Sequence, residues 1–223
     1  ACAVENFGEQ YGADDITRIM TPLPFYHVVG LLHHVSALVY NKTSCIGRGI
    51  KYVFLDMGAL NPHMLNVVPM VLESFAKMLR NPRMNQSIQK YIGTNLKVIS
   101  FAGAALKEPV LRCLLDQGFI MMVNYGMTEI PVATLAVIEC EKHFRSAGKF
   151  TKNLQCRFDN GELVMKGPTM MKGYYRDTAE MQKVVEDGWI HTGDLGYMDE
   201  DGFIYFVQTS SSVGSSGIDD QRL

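Results

Sequence analysis

The sequence predicts an α/β fold with a parallel βαβ unit in the middle of the chain and short β hairpins after it. Two observations point there. Apolar runs at Leu96 to Phe101 and Ile120 to Asn124 bracket a segment from Pro109 to Gln117, with Gly118 as a C-terminal stop, which reads strand, helix, strand. Further on, Asn160-Gly161 separates Gln155–Phe158 from Glu162–Lys166, and Asn-Gly supplies the positive φ angles of a type I′ hairpin turn.

From the amino end, Gly12 to Thr17 reads as a turn into a strand at Ile19 to Leu23, which Pro24 stops. After Gly30 an apolar stretch through Tyr40 predicts a core helix. Asn61-Pro62 reads as a helix start, Asn as cap and Pro in the first turn. Leu65 to Val68 is predicted extended because Pro69 restricts the residue before it. Leu72, Phe75, Met78 and Leu79 then recur at helical spacing until Asn81-Pro82, a Met-rich stripe that we read as core. In the βαβ unit a right-handed connection would place the turn Ala102-Gly103-Ala104-Ala105 and the turn after Asn124 at one edge of the sheet. Thr178 to Val185 reads as a helix. A second hairpin follows, from Trp189 to Met198, through the turn Asp199 to Gly202, to a strand Phe203 to Val207, with Thr192-Gly193-Asp194 at its start. Gln208 to Leu223 is Ser-rich and reads as flexible.

The 223 residues carry a net charge of −2, with Lys and Arg scattered, so there is no electrostatic footprint for nucleic acid. The five cysteines are odd in number, widely spaced and free of a C-x-x-C pair, which argues against a disulfide framework and a zinc site and for a reducing, cytoplasmic home. No apolar run reaches the length of a bilayer span, which leaves only peripheral contact with a membrane. The chain opens on Ala1-Cys2 without an initiator Met and reads as a piece of something longer.

The candidate site centres on Asn124-Tyr125-Gly126-Met127-Thr128-Glu129. Gly126 lets the chain turn at the carboxyl end of a buried strand, where α/β sheets put their ligands. Tyr125 offers a flat face, Thr128 a hydroxyl and Glu129 a carboxylate, a set suited to a base and a metal-bound phosphate; alone, the hexapeptide reads equally as a polar loop. Small residues at Gly103, Ala104 and Ala105 would let a flat ring lie against the backbone. Asp194, after Gly193, has the acceptors for a ribose diol, or serves an Asx-turn that shapes the loop. His27 alone reads as a core histidine as readily as a reactive one.

Together, Pro22 to Gly30, Leu96 to Ala105, Asn124 to Glu129, Gly161-Glu162-Leu163 with Gly167-Pro168 and Gly173-Tyr174-Tyr175, and Gly188 to Asp194 with Asp201-Gly202-Phe203 resemble, in order, the acyl-adenylate-forming superfamily of acyl-CoA synthetases, luciferases and adenylation domains. The resemblance implies part of that family's large N-terminal domain over residues 1–207, with 208–223 a truncated hinge. It implies ATP-driven activation of a carboxylate to an acyl-adenylate, then transfer to coenzyme A. By position, Tyr125 would stack on adenine with Gly103, Ala104 and Ala105 as the opposite wall, and Asn124 and Gly126 beside it. Thr128 would touch the α-phosphate, Glu129 would hold Mg²⁺, Asp194 would take the ribose hydroxyls, and His27 would line the acyl pocket. The form Pro24-Phe25-Tyr26-His27 and the run Val68 to Glu73 look like medium- or long-chain acyl-CoA synthetases, and no carboxylate stands between Pro22 and Gly30 to meet an α-amino group. A fatty acid is the expected substrate.

The departures are equally specific. Nothing before Pro22 matches the family's phosphate loop, Gln208-Thr209 replace the Gly-Arg pair of the hinge, and the lysine of the small C-terminal domain has no counterpart. This chain alone is therefore expected to be inactive, with apolar faces around Val28 to Val39 or Leu65 to Leu79 left uncovered and prone to self-association. The alternative to a fragment of a ligase is a non-catalytic relative that binds nucleotide or acyl groups.

Overall fold

The structure, a computed structural model, describes residues 2–6 and 14–208, and everything said of it concerns those residues. Their strands form a seven-stranded and a five-stranded sheet. In the first, β1 (Arg18–Met20), β2 (Thr43–Cys45), β3 (Met64–Val67), β4 (Val98–Phe101) and β5 (Ile120–Tyr125) pair in parallel in the order β2-β1-β3-β4-β5. β6 (Thr134–Val137) and β7 (Lys149–Phe150) extend it through antiparallel pairs. β3 and β4 are buried at every position, the pattern of strands covered on both faces, and that is why they read as unbroken apolar runs.

The βαβ expectation holds. Val98 pairs with Ile120 and Phe101 with Val123, in parallel, across a helix at Glu108–Leu115. The turns at Gly103 and Gly126 therefore leave from one edge of the sheet. Beneath it the Pro69–Arg80 helix buries Leu72, Phe75 and Leu79, and Phe75 is fully enclosed, its ring against Phe54 and Phe119. The Met-rich stripe is core. The helix Val28–Val39 is present too, but only part of it faces the core: Ala37 is buried, while Leu31, Val35, Leu38 and Val39 are exposed. Of the two faces expected to be uncovered, this one is open; Leu65 to Leu79 is largely enclosed, Met70 excepted.

Asn61-Pro62 does not start a helix. It ends one at Val53–Leu60, with Asn61 in the left-handed region at φ 48° and its side-chain oxygen accepting from the N–H of Thr94 at 2.8 Å and Asn95 at 3.0 Å. Asn tolerates that conformation and Pro cannot continue a helix, so the same pair closes one as well as it opens one. Asn81-Pro82 does open one: Asn81 caps Pro82–Asn85 by accepting from the N–H of Arg83 and Met84.

The second sheet is antiparallel, in the order β10 (Val185–Glu186), β11 (Trp189–Met198), β9 (Glu162–Lys166), β8 (Gln155–Asp159), with β12 (Ile204–Gln208) also on β11. Asn160 at φ 51° and Gly161 at φ 87° make the expected hairpin turn. A helix at Thr178–Val184 precedes β10. Thr192-Gly193-Asp194 lies within β11, not at the start of the hairpin, because the strand bulges there. Gln208 belongs to β12, whereas 209–223, like residues 12 and 13 of the expected first turn, lie outside the described residues. The two sheets meet where Ile130 and Ala133 pack on Leu163, Met165 and Ile190, and where the N–H of Ile204 donates to Gly148 at 2.9 Å.

Asn61→Ala replaces a residue that tolerates the left-handed region with one that does not, and removes the acceptor for two N–H groups. Urea denaturation is expected to show a loss of about 2 kcal/mol. A loss under a few tenths would mean that the cap does not hold this corner.

Candidate functional site

At the end of β5 the side chains divide between structure and cleft. The amide nitrogen of buried Asn124 donates to Ser100 Oγ of β4 at 3.0 Å, so that side chain is engaged within the sheet. The Tyr125 N–H donates to Thr134 Oγ1 at 3.1 Å and its carbonyl accepts from Ala133 at 2.8 Å. Gly126 is required for a reason other than a positive φ: a β-carbon there would lie 2.4 Å from the backbone nitrogen of Val132. Val132 itself sits at φ 54°, which for a β-branched residue is a strained conformation costing about 1–3 kcal/mol. Gly103, by contrast, has room for a side chain but stands at φ 88°. Ala104 and Ala105 beyond it are exposed at the same sheet edge.

The Tyr125 hydroxyl donates to Asp194 Oδ2 at 2.5 Å, and its ring leans on Phe206 at 4.5 Å between centroids. Burial first, then the carboxylate of Asp194, push the phenol well above its ordinary pKa. Asp194 is 5% exposed and follows a loop held by its own groups: Thr192 Oγ1 donates to the Leu163 carbonyl at 2.8 Å and accepts from the Asp194 N–H at 3.1 Å, with Gly193 at φ 72°. Glu129 Oε1 accepts from the Tyr174 hydroxyl at 2.6 Å, and its carbonyl accepts from the N–H of Met171 at 2.7 Å. Thr128 is exposed beside it.

Tyr125, Thr128, Glu129, Asp194 and the Gly103–Ala105 turn thus converge on one end of the sheet edge. His27 stands apart. It caps the Val28–Val39 helix, its Nδ1 accepting from the N–H of Val29 at 3.3 Å, on the loop after β1. Behind that loop a cavity of about 300 Å³ is lined by Thr21, Pro22, Phe25, His34, Ile46 and Gly47, at the carboxyl ends of β1 and β2 and hence on the same edge. His34 stacks on Phe25 at 4.3 Å, its Nδ1 lies 2.5 Å from Ser44 Oγ, and burial holds its pKa below the ordinary value; fully buried His33 is held at about 3 for the same reason. Neither was singled out from the sequence, although two histidines inside an apolar helix are a readable signal.

The first 175 residues match a family model described as AMP-binding enzyme, over residues 1–175. Relatives include 2-succinylbenzoate–CoA ligases from Bacillus cereus (strain AH820), 28% identical over 87% of this chain and 42% of theirs, and from Bacillus subtilis (strain 168), 27% identical over 92% and 43%. The chain spans less than half the length of these relatives. Among solved structures, O-succinylbenzoate coenzyme A synthetase from Bacillus subtilis in complex with AMP has a TM-score of 0.78 at 24% identity, covering 94% of this chain and 44% of that one. An amide bond synthetase from Marinactinospora thermotolerans has a TM-score of 0.80 at 20% identity, covering 93% and 44%. These structures share the fold.

Burial keeps the Tyr125 phenol protonated above the pH at which an unfolded tyrosine ionises, so unfolding there releases a proton and stability falls as pH rises past about 10. Tyr205, pushed up to about 12 chiefly by burial, acts in the same direction. Denaturation midpoints are expected to decline above that pH, and less steeply in Tyr125→Phe. Equal slopes for the variant and the unaltered chain would contradict the buried contact.

Proposed function

Because the chain belongs to the AMP-binding enzyme family, we propose that it supplies the nucleotide-holding part of a ligase that activates a carboxylic acid with ATP as an acyl-adenylate and passes the acyl group to coenzyme A. The observation that supports this most directly is the meeting of Tyr125 and Asp194, from two different sheets, beside the Gly103 turn. A flat aromatic ring next to a buried carboxylate suits a nucleoside, whose base stacks and whose diol donates two hydrogen bonds.

The residues present fit the groups this reading requires. Ribose hydroxyls can take over the donor role that the Tyr125 hydroxyl fills at Asp194. Glu129 has one oxygen bound by Tyr174, which orients the carboxylate. Among the described residues no group of three or more His, Cys, Asp or Glu could hold a metal ion, and magnesium at phosphate sites needs only one or two carboxylates beside the phosphates. When bound with nucleotide, the ion neutralises charge that builds on the phosphates. We assign Glu129 to the ion, Thr128 to the α-phosphate, and the Gly103–Ala105 turn with Gly126 to the base pocket; Asn124, expected there too, is instead bonded to Ser100 inside the sheet and supports the pocket from behind. Tyr125, neutral at any physiological pH, stacks without adding charge.

We assign the acid to the loop after β1, with His27 at its rim and the cavity beside Phe25 and His34 as the seat for its apolar part. The matched relatives are named for 2-succinylbenzoate, so they lend no support to the fatty acid expected above. The substrate class we retain is a carboxylic acid without a free α-amine. Cys45, Cys113, Cys140 and Cys156 are free thiols and no described helix is long and apolar enough to cross a membrane; we place the protein in the cytoplasm. The exposed side of the Val28–Val39 helix is the face through which we expect self-association.

Titration with AMP tests the reading. Asp194→Ala is expected to weaken AMP about tenfold, the cost of an unmade hydrogen bond to a charged acceptor. Glu129→Ala should leave AMP alone nearly unchanged and abolish the gain that magnesium gives to ATP. An Asp194→Ala variant that binds AMP as the unaltered chain does would refute the assignment.

A further inference from the structure

Gly161-Glu162-Leu163 was singled out by its resemblance, yet nothing above gives Glu162 a task. Its carboxylate is split between two partners on β11: Oε1 accepts from the Gly193 N–H at 2.8 Å and Oε2 lies 3.1 Å from His191 Nδ1. The reason is visible in the register. His191 pairs with Val164 and Leu195 with Glu162, so β11 takes four steps (195 − 191) where β9 takes two (164 − 162), and Thr192-Gly193-Asp194 bulges out of the ladder. A bulge leaves backbone groups without ladder partners. Thr192 Oγ1 serves the Asp194 N–H, and Glu162 serves Gly193.

We propose that Glu162 is a positioning residue of the nucleotide site: by holding the Gly193 N–H and the His191 ring it fixes the bulge that aims Asp194 at the ribose. The inference rests on Asp194 being the ribose acceptor. Three features support a positioning role rather than a structural one. The bond is to a charged acceptor, hence short and directional. Gly193 is exposed and the Glu162 side chain is 27% exposed, so losing the bond returns both groups to water at little cost to the fold. Gly193, at φ 72°, is the residue between Thr192 and Asp194 whose backbone has most freedom to swing, and the N–H that Glu162 holds is its own. On the outer side of the ring, His191 Nε2 is 3.6 Å from the mostly exposed Glu186, which steadies the imidazole without burying it.

The test compares AMP with 2′,3′-dideoxy-AMP on this chain by ligand-observed NMR, beside thermal denaturation. The unaltered chain is expected to prefer AMP by at least about tenfold, since one hydrogen bond to a charged group is worth that much and the dideoxy ligand lacks two. Glu162→Ala should bring that ratio close to one while its melting temperature stays within a few degrees. Glu162→Gln should restore the ratio, since an amide can accept from Gly193 and donate to His191 Nδ1. If the unaltered chain shows no preference, the ribose assignment of Asp194 is wrong and this proposal falls with it. If it does prefer AMP and Glu162→Ala keeps the preference, the positioning role alone is refuted. Should Glu162→Ala fail to fold, hydrogen exchange in the unaltered chain decides: a protected Gly193 amide supports the clamp, and exchange at the rate of an open chain overturns it.

Discussion

The hydrogen bond from Tyr125 to Asp194 joins the end of the last parallel strand to a bulge 69 residues further along the chain, and the site exists only where those two points meet. A phenol and a carboxylate taken out of water separately would each be costly; facing each other, each satisfies the other. For them to meet, β5 must end at Tyr125, Gly126 must let the chain approach Val132, and β11 must leave its ladder at Thr192. The strained backbone of Val132 and the bulge are the local sacrifices of regularity that this meeting requires.

Parallel pairing sets the wider frame. Because β2, β1, β3, β4 and β5 all point the same way, every loop that follows them opens on one edge. One end of that edge holds Gly103, Tyr125 and Glu129; the other holds the apolar cavity behind Phe25. The proposed activation reaction would need a polar, charge-handling end and an apolar end, and the edge of this one sheet carries both. The antiparallel sheet closes the polar end, through Asp194 and Phe206 against the ring of Tyr125 and through the backbone bonds that tie Ile204 to Gly148.

How much of this was legible follows from how local each signal is. The βαβ unit could be read because a helix-length segment between two buried runs has one geometric solution, and the hairpin could be read because Asn160-Gly161 suits one turn. Asn61 was misread because its residue pair works at either end of a helix, and what decides is the distant Thr94 and Asn95 amides. The Val53–Leu60 helix was missed because its apolar residues do not segregate onto one face: Leu55 is exposed while Val53 and Met57 are buried. Asp194 was placed at the start of a hairpin because a bulge in mid-strand leaves no periodic trace. At the site, the residues named for it stand in a few short motifs, but Tyr174 on Glu129, Phe206 on Tyr125 and Glu162 on Gly193 are tertiary contacts that no spacing shows.

Photoaffinity labelling with 8-azido-AMP, followed by peptide mapping, tests most directly whether this end of the sheet edge is the nucleotide site. The account predicts labels on the peptides that contain Ala102 to Ala105 and Asn124 to Glu129, displaced by excess AMP. Displaceable labelling confined to the loops from Thr21 to Ile50 would contradict it, since the nucleotide would then occupy the end assigned to the acid.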